Sequence, residues 1–273
     1  MIELVPLRQF RFPIMAECIS PDVFQGKTTA EIEALNVWEG NKQKKLSDLF
    51  RIEINTPDQQ ESCTIRISGD VSKVRRIGSR MKGGEIIIKG DVGMHLGEEM
   101  KGGKIAAQGN VAAWAGSMMK GGTIEIHGNS GDYLGAPYRG STKGMHGGNI
   151  TVYGNVGTEA GAHMRKGTIK IYGNAGQFAG FRMHGGTIYI QKNCDDRVGA
   201  CMTGGKIVVA GDLGSVLPTF TIDSIKAKVK IEGEENVEGP FYLFLGDLAE
   251  SGNGKLYVSK GKNSHLSHYE RFL

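Results

Sequence analysis

Short bursts of alternating apolar and polar residues run through the middle of this chain, nearly all of them ending in glycine and then Asn or Asp. EIIIKGD, KIAAQGN, TIEIHGN, NITVYGN, TIKIYGN, TIYIQKN and KIVVAGD, starting at Glu85, Lys104, Thr123, Asn149, Thr168, Thr187 and Lys206, share this form. Alternation over four or five residues bounded by glycine predicts a strand with one buried face, and such segments are too short for helices. Ahead of each burst stands a methionine with a glycine three residues on: Met81, Met100, Met119, Met145, Met164, Met183 and Met202 precede Gly84, Gly103, Gly122, Gly148, Gly167, Gly186 and Gly205. The methionines are separated by 19, 19, 26, 19, 19 and 19 residues. A fixed period of this size marks one supersecondary unit stacked on copies of itself.

A nineteen-residue unit reaches at most about 63 Å fully extended, enough to circle a small triangular section once. Parallel strands about 4.8 Å apart, joined with the usual right-handed crossover, then follow. The predicted fold is all-β: a right-handed single-stranded parallel β-helix of about 7–8 coils of 19 residues, with N- and C-terminal capping segments. The Ile86 and Ile88 positions and their successors, from Ile105 and Ala107 to Ile207 and Val209, form the inner rows. The methionine column is a second core row, its flexible thioether filling irregular corners. Asp70, Asp91, Asn110, Asn129, Asn155, Asn174, Asn193 and Asp212 form a polar ladder at a turn.

The expected division is 1–60 as an N-terminal cap, 61–218 as the repeat body and 219–273 as C-terminal strands and cap. Helical stretches are expected around Ala30 to Leu35 and Lys44 to Phe50. Caps would cover sheet edges that otherwise aggregate.

Glycine is the compositional outlier, 42 of 273 residues, without a Gly-X-Y period, so collagen is excluded and a turn-rich repeat favoured. The net charge of +4 does not demand nucleic acid as a partner. The opening MIELVPLRQFRF lacks the architecture of a secretory signal, and no stretch reaches membrane-spanning length, so a soluble cytoplasmic chain without membrane insertion is expected. Cys18, Cys63, Cys194 and Cys201 form no C-x-x-C pair. They read as buried, reduced thiols, with no metal site made by this chain alone.

Two features break the structural pattern. One residue after the methionines stand Lys82, Lys101, Lys120, His146, Arg165 and His184, a basic stripe with neighbours about 5 Å apart. An acidic partner would relieve its repulsion; splayed, solvated side chains would also fit. Seven extra residues enter between Gly135 and Met145, and such insertions leave a repeat array as surface loops. Tyr138, Arg139, Ser141 and Lys143 of this loop are contact candidates, and a plain solvated loop suits them equally. No nucleotide-binding glycine motif, nucleophile elbow or zinc-protease histidine pair is present, so neither catalytic nor cofactor nor metal residues are assigned.

The thirteen-residue unit G-x-x-M-x-x-G-x-I-x-x-x-G occurs at 78–90, 97–109, 116–128, 142–154, 161–173, 180–192 and 199–211, with Thr142, Lys166 and Lys192 departing at glycine positions. In this unit, and in length and flanks, the chain resembles the C-type subunit of formylmethanofuran dehydrogenase, in its tungsten or molybdenum forms. Its glycine pattern also resembles the C-terminal glycine-motif domain of glutamate synthase, a right-handed β-helix. The first resemblance implies a non-catalytic assembly subunit of a complex that reversibly reduces CO2 and fixes the formyl group on methanofuran, the first step of methanogenesis from CO2. It implies partners carrying the cofactors: tungsten- or molybdenum-pterin subunits, an amidohydrolase-like subunit with a dinuclear metal centre, and iron–sulfur subunits with [4Fe-4S] clusters. Methanofuran is expected nearby. The shared motif is structural, so no catalytic residue carries over.

Two alternatives stay open. A related subunit belongs to the bacterial formyltransferase/hydrolase complex. From a different class, a stand-alone β-helix could bind polysaccharide, although aromatics make up only 7% of the chain and Tyr153 with Tyr172 form a short column.

Overall fold

The computed structural model describes residues 1–54, 63–232 and 236–273. The boundary expected at 60 falls within 55–62, outside the described residues. The N-terminal part supplies strands β1 (Ile2–Pro6), β2 (Ile14–Met15), β3 (Asn36–Glu39), β4 (Lys42–Lys45) and β5 (Phe50–Ile54), with the short helices α1 (Pro21–Phe24) and α2 (Thr29–Glu33). A capping box fixes the start of α2: Glu31 N donates to Thr28 Oγ1 and Thr28 N to Glu31 Oε2, satisfying two end donors that a helix cannot pair internally. The helix expected at Lys44 to Phe50 is not formed. That stretch instead holds the end of β4, a 3-10 turn at Leu46–Asp48 and the start of β5, because β4 pairs with β3 and β5 with β1, which supply the backbone partners of both ends.

The repeat segment contributes β6 (Thr64–Ile67), β7 (Val74–Arg75), β8 (Glu85–Ile88), β9 (Lys104–Ala107), β10 (Thr123–Ile126), β11 (His146–Val152), β12 (Lys166–Ile171), β13 (Thr187–Ile190) and β14 (Lys206–Val209). After it come β15 (Thr221–Val229), β16 (Val237–Gly246) and β17 (Gly254–Ser259). From β8 to β14 all neighbours run parallel, and the Ile86, Ile105, Ile124, Ile150, Ile169, Ile188 and Ile207 positions are aligned.

The expected single-stranded parallel β-helix is corrected by the sheet topology. The strands form one 13-stranded mixed sheet, in the order β15-β16-β17-β14-β13-β12-β11-β10-β9-β8-β6-β1-β5, and a separate four-stranded sheet, β4-β3-β2-β7. Antiparallel pairs stand at both ends of the large sheet, β1 with β5 and β15 with β16 with β17. The physical reason lies in strand length and connection. Repeat strands of four to seven residues pair parallel with the next unit, whereas the terminal segments carry strands of up to ten residues joined closely enough to pair antiparallel.

The inner rows are buried. The methionine column from Met81 to Met202, the isoleucine rows and a further row of Ile77, Leu96, Ala115, Leu134, Ala160, Ala179 and Val198 all belong to one core cluster. Bridges linking Val71, Val92, Val111, Ser130, Val156, Ala175, Cys194 and Leu213 add another buried row. Cys194 serves there as a small apolar side chain, and burial pushes its thiol up to about 12. Cys18, Cys63 and Cys201 are free but only half-buried, a correction to the expectation of four buried thiols. The β15–β16 hairpin lies on the opposite face of the sheet, where Val229, Ile231 and Phe241 cover Tyr189 and Val208. All four residues of β13 are therefore buried, while β8 to β10 leave alternate residues half-exposed.

Candidate functional site

The backbone fixes the basic stripe. The N–H groups of Lys101, Lys120, His146, Arg165 and His184 donate to the carbonyls of Met81, Met100, Met119, Met145 and Met164 in the preceding unit. Lys82 N, at the end of the row, donates instead to Asp22 Oδ2 at 2.7 Å. Each methionine points into the core, so the residue after it faces out. Lys82, Lys101, Lys120, Arg165 and His184 are exposed and His146 is half-buried.

The residues just before six of the seven repeat methionines form a second outward column that the sequence pattern did not single out: Arg80, Glu99, Met118, His163, Arg182 and Cys201, with Gly144 before Met145 buried. All six have positive φ, between 51° and 59°. The same nineteen-residue step would have found them. Glu99 lies 3.6 Å from Arg80 and 3.5 Å from Lys120, so it partly neutralises that end of the face. Lys82, Lys101, Arg165 and Arg182 make no ion pair among the described residues. The Arg182 guanidinium lies over the Phe181 ring at 5.3 Å.

The histidines weaken the stripe as a row of fixed charges. Burial and then the Arg165 charge hold His184 below the ordinary imidazole value. Burial followed by Arg182, His184 and Arg165 does the same to His163. Both rings therefore carry less positive charge at pH 7 than an unperturbed imidazole. His184 Nδ1 lies 2.8 Å from Thr203 Oγ1, and His146 Nδ1 lies 2.5 Å from the Gly144 carbonyl oxygen. The lasting positive charge of the stripe comes from Lys82, Lys101, Lys120 and Arg165.

The insertion loop divides. Lys143 is exposed, three residues before His146 in the chain. Tyr138 turns the other way, its ring edge-on to His95 and Trp114 at 5.2 Å and 5.7 Å, and Arg139 follows it. Ser141 N donates to the Tyr138 carbonyl, and Lys143 N to Ser141 Oγ, so the loop has a defined turn of its own. On the strand side, Tyr153 stacks between Tyr172 and His127 at 5.3 Å and 4.9 Å, one ring more than the expected pair.

A charged cluster that the sequence pattern gave no sign of joins Glu98, Arg76, His95 and Glu17. Glu98, 5% exposed, sits 3.3 Å from both Arg76 Nε and His95 Nδ1. Arg76 also reaches Glu17 at 2.6 Å. Burial alone would raise the Glu98 carboxyl, but His95, Arg76 and Arg80 outweigh it and hold it below the usual carboxylate range. Among the described residues no group of three or more His, Cys, Asp or Glu side chains is placed to hold a metal ion. Among the described residues no helix is long and apolar enough to cross a membrane.

Over 93 residues the chain is 47% identical to the C-type subunit of the molybdenum-containing formylmethanofuran dehydrogenase 1 of Methanothermobacter marburgensis. It is similar to the C-type subunits of formylmethanofuran dehydrogenases. The corresponding subunit of the tungsten-containing formylmethanofuran dehydrogenase 2 of Methanothermobacter wolfeii matches at 42% over 95 residues. These matches cover 34% and 35% of this chain, not most of it as the motif suggested, and 22% and 35% of the relatives. The chain thus spans between about a fifth and a third of the curated relatives' length in the matched part. A chain of the crystal structure of the formyltransferase/hydrolase complex from Methylorubrum extorquens, in complex with methylofuran, superposes with a TM-score of 0.82 and 27% identity, covering 94% of this chain and 99% of that one. No family model matches the chain.

Proposed function

We propose that the chain is a non-catalytic assembly subunit of a formylmethanofuran dehydrogenase complex, which reduces CO2 and attaches the formyl group to methanofuran. The observation that carries this reading is the 47% identity to a subunit of such an enzyme, falling on a chain whose repeat residues are consumed by packing. Methionines, isoleucines and glycines form the interior, and the polar ladder is bonded to itself: Asp91 Oδ1 accepts from Asn110 N, Asn110 Oδ1 from Asn129 N, and so on to Asp212 N. In this reading the pterin, dinuclear metal and iron–sulfur chemistry resides in other subunits, and segments 1–60 and 219–273 act as caps.

The full-length superposition on the formyltransferase/hydrolase complex favours a second reading, a component of a complex of that kind. Purifying the chain from its source with its partners attached, and identifying them by mass spectrometry, separates the two. An amidohydrolase-like subunit together with a pterin oxidoreductase is expected. The first without the second supports the other reading, and a chain that purifies alone contradicts both.

Docking, in this proposal, uses the outward face around Lys82, Lys101, Lys120, His146, Arg165 and His184, together with Lys143 of the insertion loop. Net positive charge there, with Glu99 the nearby carboxylate, complements an acidic partner surface.

A further inference from the structure

His95, Trp114 and Tyr133 occupy one position in three successive repeat units and stack nearly parallel, at 5.4 Å and 4° and at 4.7 Å and 11°. In the next unit the same position holds Glu159, and all four residues have positive φ, 58° to 65°. The seven-residue insertion leaves the chain between Tyr133 and Glu159 and folds back over the stack through Tyr138. Beneath it lies a hollow of about 240 Å³ whose lining includes Trp114, Tyr133, Tyr138, Arg139, Glu159 and His163.

The hollow suits a flat cation. Aromatic faces carry negative electrostatic potential and attract cations. Glu159 makes no ion pair among the described residues, and burial and then the neighbouring Asp132 charge raise its carboxyl. Glu159 lines the hollow and Asp132 lies close enough to act on it, while Arg139, exposed at the rim, makes an ion pair with neither. Burial and the Arg182 and Arg165 charges lower the His163 imidazole, and Glu159 is the one carboxylate of the lining. The volume lies below the roughly 300–1,000 Å³ of sites for drug-sized molecules and matches a single side chain. Arginine combines a planar, weakly hydrated cation with stacking on aromatic rings and pairing to carboxylates, and it is a recurrent anchor at interface centres.

We propose that this hollow is an anchor site for one arginine side chain presented by a partner protein. The site adjoins the basic face through His163, whose ring lies 6.5 Å from that of His184, but takes the opposite charge, and it stands whichever complex the chain belongs to. Two surfaces of opposite preference on one subunit fix the orientation of a bound partner, because a misplaced partner meets like charge at one of them.

The chain has two tryptophans, so Trp38→Phe leaves Trp114 as the only indole reporter. In that background the full chain is titrated with N-acetyl-arginine amide and, separately, N-acetyl-glutamate amide, following Trp114 fluorescence and its indole N–H NMR signal. The arginine probe is expected to shift Trp114 saturably in the millimolar range, with Glu159→Gln weakening it at least fivefold. Arg139→Ala, at the exposed rim, is expected to strengthen binding by removing a competing cation. No saturable response, an unchanged affinity in Glu159→Gln, weaker binding in Arg139→Ala, or preference for the glutamate probe would each overturn the proposal.

Discussion

Met100 Cε stands 2.8 Å from where a Cβ on Gly122 would be. The same relation joins Met119 to Gly148, Met145 to Gly167, Met164 to Gly186 and Met183 to Gly205, so each methionine methyl fills the space beside the glycine of the following unit and would have to move for a Cβ there. Gly122 also has φ of +88° and lies against the Gly103 carbonyl oxygen. Gly122→Ala should therefore destabilise by about 1–3 kcal/mol or more, lowering the thermal midpoint by several degrees. Gly83, which has nothing within 4 Å of a Cβ, is the control: Gly83→Ala should stay within about 0.5 kcal/mol. Equal effects in calorimetry would contradict this account of the period.

Met119 is fully buried among neighbouring rows. Met119→Ala should cost about 2–5 kcal/mol through lost burial and a cavity, whereas Met119→Leu keeps the volume and should cost less than about 1.5 kcal/mol. Denaturant titration of the two variants checks the difference, and a harmless Met119→Ala would remove the methionine column from the core.

The Glu98 cluster gives a pH-dependent prediction. Its folded-state pKa is depressed, so its contribution is present above the unfolded carboxyl value of about 4.3 and is lost as pH falls through the folded value. Glu98→Gln should lower stability at pH 7 by about 2–3 kcal/mol, because Arg76 keeps Glu17 at 2.6 Å but His95 loses its carboxylate. The gap to the unsubstituted chain should shrink steadily below pH 4.3. Unfolding free energies at pH 7, 5 and 3 measure it, and a constant gap would contradict the ion-pair origin.

The register, the core and the polar ladder were legible because each rests on one residue type recurring at one step: Ile124 under Ile105, Met119 under Met100, Asn129 under Asn110. The sheet as a whole was not. β17 follows β14 in the sheet with Lys206 aligned to Lys255, yet the long β15–β16 hairpin separates them in sequence and no Met-x-x-Gly announces it. Its first residue, Gly254, nevertheless takes the place of the repeat glycine, lying against the Met202 side chain. The stacked column of His95, Trp114, Tyr133 and Glu159 escaped notice for the opposite reason. Its geometry is constant, with positive φ throughout, while its chemistry changes at every step. The candidate stripe was legible in position but overstated in charge, since burial and the Arg165 charge lower the His184 imidazole.

The central claim is that this chain assembles a complex through its basic face, and Lys101→Glu with Lys120→Glu tests it most directly. Both side chains are exposed, so the isolated double variant should lose no more than about 1 kcal/mol of stability. Capture of partner subunits in pull-downs quantified by mass spectrometry should fall roughly tenfold or more at moderate salt. Undiminished capture by a folded double variant would contradict the account.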